Sequence, residues 1–538
     1  MFKLLYQILN PYKLLFFLGV LSIVLAKILE TLIPFLIGHI VTQFTLSKPL
    51  GYTPYSLFFI IILSLILEFT AAFLRNYISE KGIITFRESF FNHILNLPFS
   101  FFHKARVGKL LTQTIHDVDK VREMIADASL SIIGNLVIFI SIFIGALYVN
   151  FQVAIALSLL IPLTGLLFIT FRHHQKKQYD ALREALSEQN TFFQEHLMGH
   201  STIRFLSSLK KELNEFLIYN NKCYKTTIDT IKTYILFITS IDFLLGLVWV
   251  IAFFCFVLQA SPENPFEAGS FYTFTLWGLM FFRPLADLAE RYNILLEGIA
   301  SLKKINTVLV QKQEQDLGTQ ELKKIDKIQF EKVSFSFDEK KPILKEISLT
   351  LEKNQTLGLL GMTGAGKSTL INLLLRFYKP TKGSIKINDI DIENYTLSSL
   401  RKEFSLTLQN PFIFRGSVES NIQFRPSGKE STIDSLGKNL SEGEKQLISI
   451  KRASHHNGSC VLLDEATASI DPQSENAIQK ELKTIFQGKT ALIIAHRLTT
   501  LKNLDQLILL HHGKIIERGT FKELLAKKGA FYHLWQLQ

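Results

Sequence analysis

The sequence predicts two domains of different fold class, an all-α membrane domain of six helices and then an α/β domain built around a phosphate-binding loop. Long apolar runs crowd the first part of the 538-residue chain, and a glycine-rich loop follows an apolar strand pattern at residues 357–360. The composition turns polar between these two regions. Because one hydrophobic core rarely serves so long a chain, we expect a membrane domain at 1–305, a linker at 306–326 and the α/β domain at 327–538.

The membrane domain is predicted from the length of its apolar runs. A spanning helix needs about 20 mostly apolar residues. Six stretches approach this length, at approximately 14–38, 55–74, 130–149, 152–171, 233–259 and 269–290. The loops between them alternate between short, nearly uncharged ones and long ones rich in Lys and Arg. Positive-inside bias therefore predicts that the long loops, both termini and the second domain are cytoplasmic. We expect an integral, multi-pass protein of the cell (inner or plasma) membrane, in contact with membrane lipid.

The long loops keep helical periodicity, as at Phe193, His196, Leu197 and Ile203. This pattern predicts that the membrane helices continue well into the cytoplasm. A soluble helical linker without any coupling role is the alternative.

The formal charge of +12 does not indicate a nucleic-acid partner. The basic residues lie mainly beside the apolar runs, with no compact basic cluster that has interleaved aromatic residues. They are orientation signals for membrane insertion. The three cysteines have none of the spacings of metal sites or disulfide frameworks, which favours incidental thiols.

The strongest local signal is a complete phosphate-binding loop. The apolar run at 357–360 enters GMTGAGKS at 361–368, and an apolar helix pattern follows. Glycines let backbone N–H groups surround phosphate, the helix start adds a partial positive charge, and Lys367 adds a full one. Ser368 can bind magnesium. The candidate binding residues of this segment are Gly361, Thr363, Gly364, Ala365, Gly366, Lys367, Ser368 and Thr369.

Two further apolar runs end in polar residues. The run at 460–463 leads into Asp464 and Glu465, and the run at 491–495 leads into His496. Because the carboxyl ends of parallel strands share one crevice, we expect these groups beside the phosphate loop. Asp464 suits a magnesium-linked carboxylate. Glu465 suits a base or water-positioning group, and His496 suits a donor to the terminal phosphate.

The chain resembles the ABC ATPase family in the order of its motifs. These are Gln409, LSEGE at 440–444, LDEAT at 463–467 and His496. The resemblance implies ATP and Mg²⁺ as ligands. It also implies a catalytic and magnesium-binding role for Gln409, adenine stacking by Phe337, and contacts from Ser441 and Gly443 to ATP. For Phe337, an ordinary core position is the alternative.

The membrane half also resembles six-span exporters, at Leu97-Pro98-Phe99, Phe102, Gly108, 195–199 and Pro284-Leu285. The implied fold is a six-helix transmembrane domain followed by an ABC nucleotide-binding domain. The implied function is a half-transporter that dimerises with a second half-transporter chain, hydrolyses ATP and exports a small amphipathic or hydrophobic substrate by alternating access. A membrane regulator or decayed subunit that binds ATP without hydrolysing it is the alternative.

The sequence departs from the family pattern in two places. The signature carries Glu442 and Glu444 where the family usually has glycine and glutamine, and repulsion from ATP is expected to weaken that site. The same residues predict a helix start, with Ser441 as cap and Glu444 as its capping-box partner. The stretch from Gln409 to Leu440 is shorter than in the family, so a helical subdomain is expected to be shortened. These departures favour a heterodimer with a chain that carries the usual signature, and a homodimer is the alternative.

Overall fold

The computed structural model describes residues 2–105, 107–206, 208–260, 267–338, 342–425, 432–464, 472–494 and 501–536. The chain divides into two compact units. The first contains Met1–Leu95 and Val107–Gln311, and the second contains Asn96–Arg106 and Lys312–Gln538. A short segment from the first half of the sequence, 96–106, is therefore part of the second unit.

The first half of the chain is helical. In chain order its helices are α1 (Phe2–Leu9), α2 (Lys13–Thr45), α3 (Thr53–Leu95), α4 (Phe99–Lys104), α5 (Val107–Thr112), α6 (Val118–Glu123), α7 (Leu130–Val149), α8 (Phe151–Ser158), α9 (Leu160–Met198), α10 (His200–Phe205), α11 (Leu209–Gln259) and α12 (Ala268–Leu309). Of these, α4 belongs to the second unit. Two π-helical turns, Gln113–Asp117 and Met124–Ser129, join α5, α6 and α7.

Five helical stretches among the described residues are long and apolar enough to cross a membrane, at Asn10–Thr45, Thr53–Leu95, Leu110–Val149, Phe151–Met198 and Leu209–Gln259. They contain the first five predicted spans. The sixth predicted span lies in α12, which is 42 residues long. The count of six spans remains a prediction. The prediction that the apolar helices continue into the charged loops is confirmed for α9 and α11. Each is one unbroken helix that contains both an apolar and a charged segment.

Close backbone contact holds α2 against α12. A Cβ atom on Gly38 would overlap Thr273, and one on Gly269 would overlap the backbone of Gly38, so only glycine fits at this crossing. Small residues at helix crossings are a common means of association in membranes. Farther along the same pair of helices, Trp277 Nε1 donates to the carbonyl oxygen of Thr31 at 3.0 Å.

An ionic cluster joins α2 and α3. Lys27 Nζ lies 2.7 Å from a carboxylate oxygen of Glu30 and 3.1 Å from one of Glu68. The pair between Lys27 and Glu30 spans one helical turn. Charges inside spanning helices are costly unless they are paired or hydrated, and this cluster gives each of its three charges a partner.

The second unit is an α/β domain. After α4, its strands are β1 (Lys327–Phe335), β2 (Leu344–Glu352), β3 (Thr356–Leu360), β4 (Lys382–Ile387), β5 (Ile390–Asp391), β6 (Phe404–Thr407), β7 (Cys460–Asp464), β8 (Thr490–Ile494), β9 (Gln506–His511) and β10 (Lys514–Gly519). Its remaining helices are α13 (Lys367–Leu374), α14 (Leu397–Lys402), α15 (Val418–Gln423), α16 (Glu442–His456), α17 (Pro472–Phe486), α18 (Phe521–Ala526) and α19 (Ala530–Gln536).

The strands form two sheets with different roles. The order of one sheet is β2-β1-β4-β5, and all its pairings are antiparallel. The other has the order β10-β9-β3-β8-β7-β6, in which β9, β3, β8, β7 and β6 run parallel. A large apolar core includes residues of both sheets and of α13. Buried parallel strands explain the continuous apolar runs of the sequence.

Candidate functional site

The phosphate-binding loop has the predicted setting. Strand β3 ends at Leu360, the loop follows, and α13 begins at Lys367. Gly361, Gly364 and Gly366 have positive φ angles of 146°, 83° and 101°. Such backbone conformations favour glycine, and they curl the loop so that its N–H groups can face an anion.

The glycine at the helix start is required for space as well as conformation. A Cβ atom on Gly366 would lie 2.6 Å from Leu344 Cδ2, a side chain buried in the core beneath the loop. At Gly364, by contrast, a Cβ atom would meet nothing within 4 Å. The loop is therefore packed closely at its helical end and open at its middle.

Lys367 is held over this loop. It is only 6% exposed, and its Nζ donates to the carbonyl oxygens of Gly361 at 2.6 Å and Met362 at 3.3 Å. A buried ammonium group at the start of a helix gives the loop a concentrated positive charge. This is the electrostatic environment that binds a phosphate chain.

The other predicted binding residues of the segment surround this charge. Thr363 and Ser368 are exposed, whereas Ala365 and Thr369 are buried against the domain. Ser368 is the second residue of α13, so its hydroxyl lies at the start of the helix beside the loop.

Parallel pairing brings the ends of four strands to one edge of the sheet. Leu359 in β3 pairs with Ile494 in β8, and Ile494 pairs with Asp464 in β7. On the far side of β7, Leu463 pairs with Thr407 in β6, two residues before Gln409. The phosphate loop and Asp464 therefore follow strands that end at one edge, as the sequence predicts. Gln409 follows β6 at the same edge, which the strand pattern did not predict.

The chemistry of these groups suits magnesium. Asp464 is 9% exposed, and its carboxylate and the Ser368 hydroxyl are the hard oxygen ligands that Mg²⁺ prefers. The described residues contain no cluster of three or more His, Cys, Asp or Glu side chains that could hold a metal by themselves. Magnesium bound with a nucleotide needs no such cluster, because phosphate oxygens and water supply most of its ligands.

Two predicted catalytic residues, Glu465 and His496, lie outside the described residues. Each follows a described strand end, since β7 ends at Asp464 and β8 ends at Ile494. Gln409 is described and exposed, and its carbonyl oxygen accepts a hydrogen bond from Gln446 of α16.

The signature segment begins α16, as the capping-box pattern predicts. The Ser441 hydroxyl accepts from Glu444 N at 3.3 Å, and Glu444 Oε2 accepts from Ser441 N at 2.8 Å. Gly443 is buried in the first turn. Ser441 and Gly443 thus lie at a positive helix end, the usual position for a group that contacts an anion.

The two signature carboxylates both have partners. Glu444 forms the capping box, and Glu442 lies 2.8 Å from Lys445 Nζ. The sequence argument for repulsion considered the glutamates alone and missed Lys445, although its spacing three residues after Glu442 was available as a signal. The unbalanced negative charge at this helix start is therefore smaller than expected.

Side-chain contacts hold the described parts of the stretch between Gln409 and α16, residues 410–425 and 432–441. Its described helical elements are α15 and a single turn at Ser435–Gly437. Asn421 is buried, bonds both backbone polar groups of Phe414, and accepts from Arg452. Phe412, Phe414 and Phe424 form an exposed aromatic cluster beside it.

Phe337 is 38% exposed, more than an ordinary core residue. It lies two residues after β1, and its ring meets those of Phe335 and Tyr378 at steep angles. The ring of His103, from α4, stacks on it with an interplanar angle of 4° and a centroid distance of 5.4 Å. Sequence reasoning did not identify His103, because residues so distant in the chain give no local signal of contact.

A phosphate-binding loop on a parallel sheet, fused to long apolar helices, defines a membrane protein with a nucleotide-binding domain. Comparison with known families gives its identity more closely. The family described as "ABC transporter transmembrane region" matches residues 16–285, and the family described as "ABC transporter" matches residues 344–468. The chain belongs to the ABC transporter family, whose members couple an ATPase to transmembrane transport.

Curated relatives resemble the chain over most of its length. The ABC transporter ATP-binding protein YfiC of Bacillus subtilis is 30% identical over 97% of this chain and 92% of its own length. An ATP-dependent lipid A-core flippase of Nitrosococcus oceani is 30% identical over 86% of this chain and 82% of its own length. Similarity of this extent covers both the membrane domain and the ATP-binding domain.

A solved structure has the same fold. The structure of a bacterial Atm1-family ABC exporter with ATP bound matches with a TM-score of 0.77 and 20% identity, and the match covers 97% of each chain. At this identity the likeness supports the fold alone. Together with the family matches, it makes this chain a half-transporter, with one membrane domain and one nucleotide-binding domain.

Proposed function

We propose that this chain dimerises, binds and hydrolyses ATP with Mg²⁺, and exports an amphipathic or hydrophobic molecule across the cell membrane by alternating access. The observation that carries the proposal is the buried Lys367 ammonium group held over a loop with three positive-φ glycines at the start of α13. Asp464 and Gln409 follow neighbouring strands at the same edge.

The proposed reaction assigns a role to each group. Lys367 and the loop amides would bind the phosphates. Ser368, Asp464 and Gln409 would hold or contact a magnesium ion, which would neutralise phosphate charge. Glu465 orients and activates the attacking water, and His496 donates to the terminal phosphate. In the sequence these last two residues come just after the described ends of β7 and β8, which supports their assignment from the ABC motif order.

Dimerisation completes the proposed site. Ser441 and Gly443 at the start of α16 would contact ATP bound at Lys367 of the partner chain, so two sites form between two half-transporters. The partners of Glu442 and Glu444 weaken the main argument for a heterodimer. Of the two alternatives, we therefore propose the homodimer, in which this chain pairs with itself.

An apolar cavity in the first unit supports the proposed class of transported molecule. An apolar cavity of about 80 Å³ lies among α7, α8, α9, α11 and α12, with aromatic side chains in its wall. Its residues include Phe143, Leu157, Trp277 and Phe281. Such a cavity fits part of an apolar chain or ring, as in an amphipathic molecule.

The test is magnesium-dependent ATP hydrolysis by the full chain in lipid. The variants Lys367→Ala and Glu465→Gln are compared with wild type, first alone and then beside a candidate partner chain. We expect hydrolysis by the wild type alone that either substitution abolishes, with uptake of amphipathic cargo into inverted vesicles. Hydrolysis only beside a partner would replace the homodimer by a heterodimer. ATP binding without turnover in every mixture would establish a regulator or relic instead.

A further inference from the structure

Helix α4 is attached to the nucleotide-binding domain mainly through aromatic rings. Phe99 stacks on Phe377 with a centroid distance of 4.6 Å and also meets Tyr378 edge-on at 6.0 Å. One turn later, His103 stacks on Phe337. Just before the helix, Glu314 N donates to the carbonyl oxygen of Asn96 at 2.8 Å. The helix is therefore fixed at both of its ends, and one end rests on the candidate base-stacking residue.

The surroundings of Phe337 leave part of its ring open. The rings of Phe335 and Tyr378 meet it nearly perpendicularly, at 85° and 80°, with centroid distances of 4.9 and 5.0 Å. The His103 ring is almost parallel to it, with a centroid distance of 5.4 Å, and so forms an offset stack on one face. Phe337 has three ring neighbours, yet the residue is still 38% exposed, so it has surface left to contact a ligand.

We propose that His103 is a positioning residue for the nucleotide base: it stacks on one face of Phe337 while adenine stacks on the opposite face. This inference rests on the proposed function, because it requires ATP at the Lys367 loop. The adenine base, the Phe337 phenyl ring and the His103 imidazole ring would then form one stacked column. His103 would fix the angle of the Phe337 ring before the nucleotide arrives and so lower the entropy lost on binding.

The column also links the base to α4. If His103 strengthens adenine binding through Phe337, bound adenine must strengthen the contact between Phe337 and His103 by the same factor, because coupling is reciprocal. Phe99 and Phe377 hold the other end of the helix. Occupancy of the base site would therefore determine how firmly α4 is attached to its domain.

The test separates base binding from phosphate binding. Dissociation constants for ATP and for inorganic tripolyphosphate are measured with the full chain in lipid, in a Glu465→Gln background that prevents turnover. The variants are His103→Ala, which removes the ring, and His103→Phe, which keeps one. His533→Ala is the control, because His533 is an exposed histidine of the same unit, on α19.

We expect His103→Ala to raise the Kd for ATP about three- to tenfold, the loss of one aromatic contact, with the Kd for tripolyphosphate unchanged. His103→Phe and His533→Ala should both remain within about twofold of wild type for ATP.

Three results would overturn the inference. Tighter ATP binding by His103→Ala would mean that His103 occupies the place of the base. An equal loss for both ligands would mean a general disturbance of the domain, and no change would mean that the stack is irrelevant to the base. Failure of the proposed function would give a different result. The wild type would then bind neither ATP nor tripolyphosphate at the Lys367 loop, and Lys367→Ala would not weaken the binding of either ligand.

Discussion

Lys445 Nζ lies 2.8 Å from a carboxylate oxygen of Glu442, one turn apart at the start of α16. The Lys445 side chain is largely covered, whereas that of Glu442 is exposed. This pair places a positive charge beside the signature residue most expected to repel ATP. The charge of Glu442 is therefore partly balanced by a cation on its own helix.

The first prediction concerns this pair. Lys445→Ala should lower the rate of ATP hydrolysis at limiting ATP about fivefold, because an unpaired Glu442 then faces the phosphates and such charge contacts are worth about 1 kcal/mol near water. Adding Glu442→Gly to Lys445→Ala should restore the rate. The measurement is the ATP dependence of hydrolysis for the wild type, both single variants and the double variant. Equal losses in the single and double variants would show that Lys445 acts independently of Glu442.

The second prediction compares two glycines of the phosphate loop. Both have positive φ, so alanine at either position should cost about 1–3 kcal/mol in backbone strain. Gly366→Ala should be the more destabilising, because its Cβ atom also lies 2.6 Å from Leu344 Cδ2, whereas Gly364→Ala meets open space. Thermal unfolding of the two variants in lipid tests this order. A reversed order would contradict the close packing at the start of α13.

The nucleotide-binding loop was predictable because its signal is local. The glycines, Lys367 and the flanking apolar patterns lie within a few consecutive residues, and each local preference agrees with the strand-loop-helix structure. The parallel strand ends at Asp464 and Ile494 follow from the same logic, since buried parallel strands are continuous apolar runs. The cap formed by Ser441 and Glu444 is likewise a short sequence pattern.

The place of α4 was not predictable from local patterns. Its residues lie between apolar helices in the sequence, yet Phe99 and His103 pack on rings of the second unit. Aromatic residues between two long helices show no periodicity that identifies the residues they contact. Only the folded chain therefore shows the stacking of these rings. The salt bridge between Lys445 and Glu442 is a different case. The three-residue spacing of the pair is visible in the sequence, but the argument that Glu442 repels ATP did not include the charge of Lys445.

The third prediction concerns the charges within the membrane helices. Lys27→Ala should lower the midpoint of thermal unfolding in lipid, because it leaves Glu30 and Glu68 as two carboxylates without their shared cation. We expect a cost of about 2 kcal/mol, since charges in spanning helices are expensive without a partner. Glu68→Gln is the matched control and should cost less, because Lys27 keeps its contact with Glu30. A larger loss from Glu68→Gln would place the main interaction on α3 instead.

The fourth prediction uses Cys460 as a reporter of the nucleotide-binding domain. Cys460 lies in β7, four residues before Asp464, and is fully buried, and burial raises the pKa of its thiol. A raised pKa keeps the thiol protonated at neutral pH, and only the thiolate reacts with alkylating agents. With Cys223 and Cys255 replaced by alanine, the folded protein should therefore label far more slowly than the unfolded chain.

ATP should slow this labelling further, because a ligand that binds the folded state reduces the population of the opened state. The measurement is the rate of maleimide labelling in lipid as a function of ATP concentration, with Lys367→Ala as the control that should show no ATP effect. Rapid labelling of the folded protein, with a rate that follows the pH dependence of an ordinary thiol, would show that β7 is accessible. Protection that persists in Lys367→Ala would show instead that ATP stabilises the domain away from the phosphate loop.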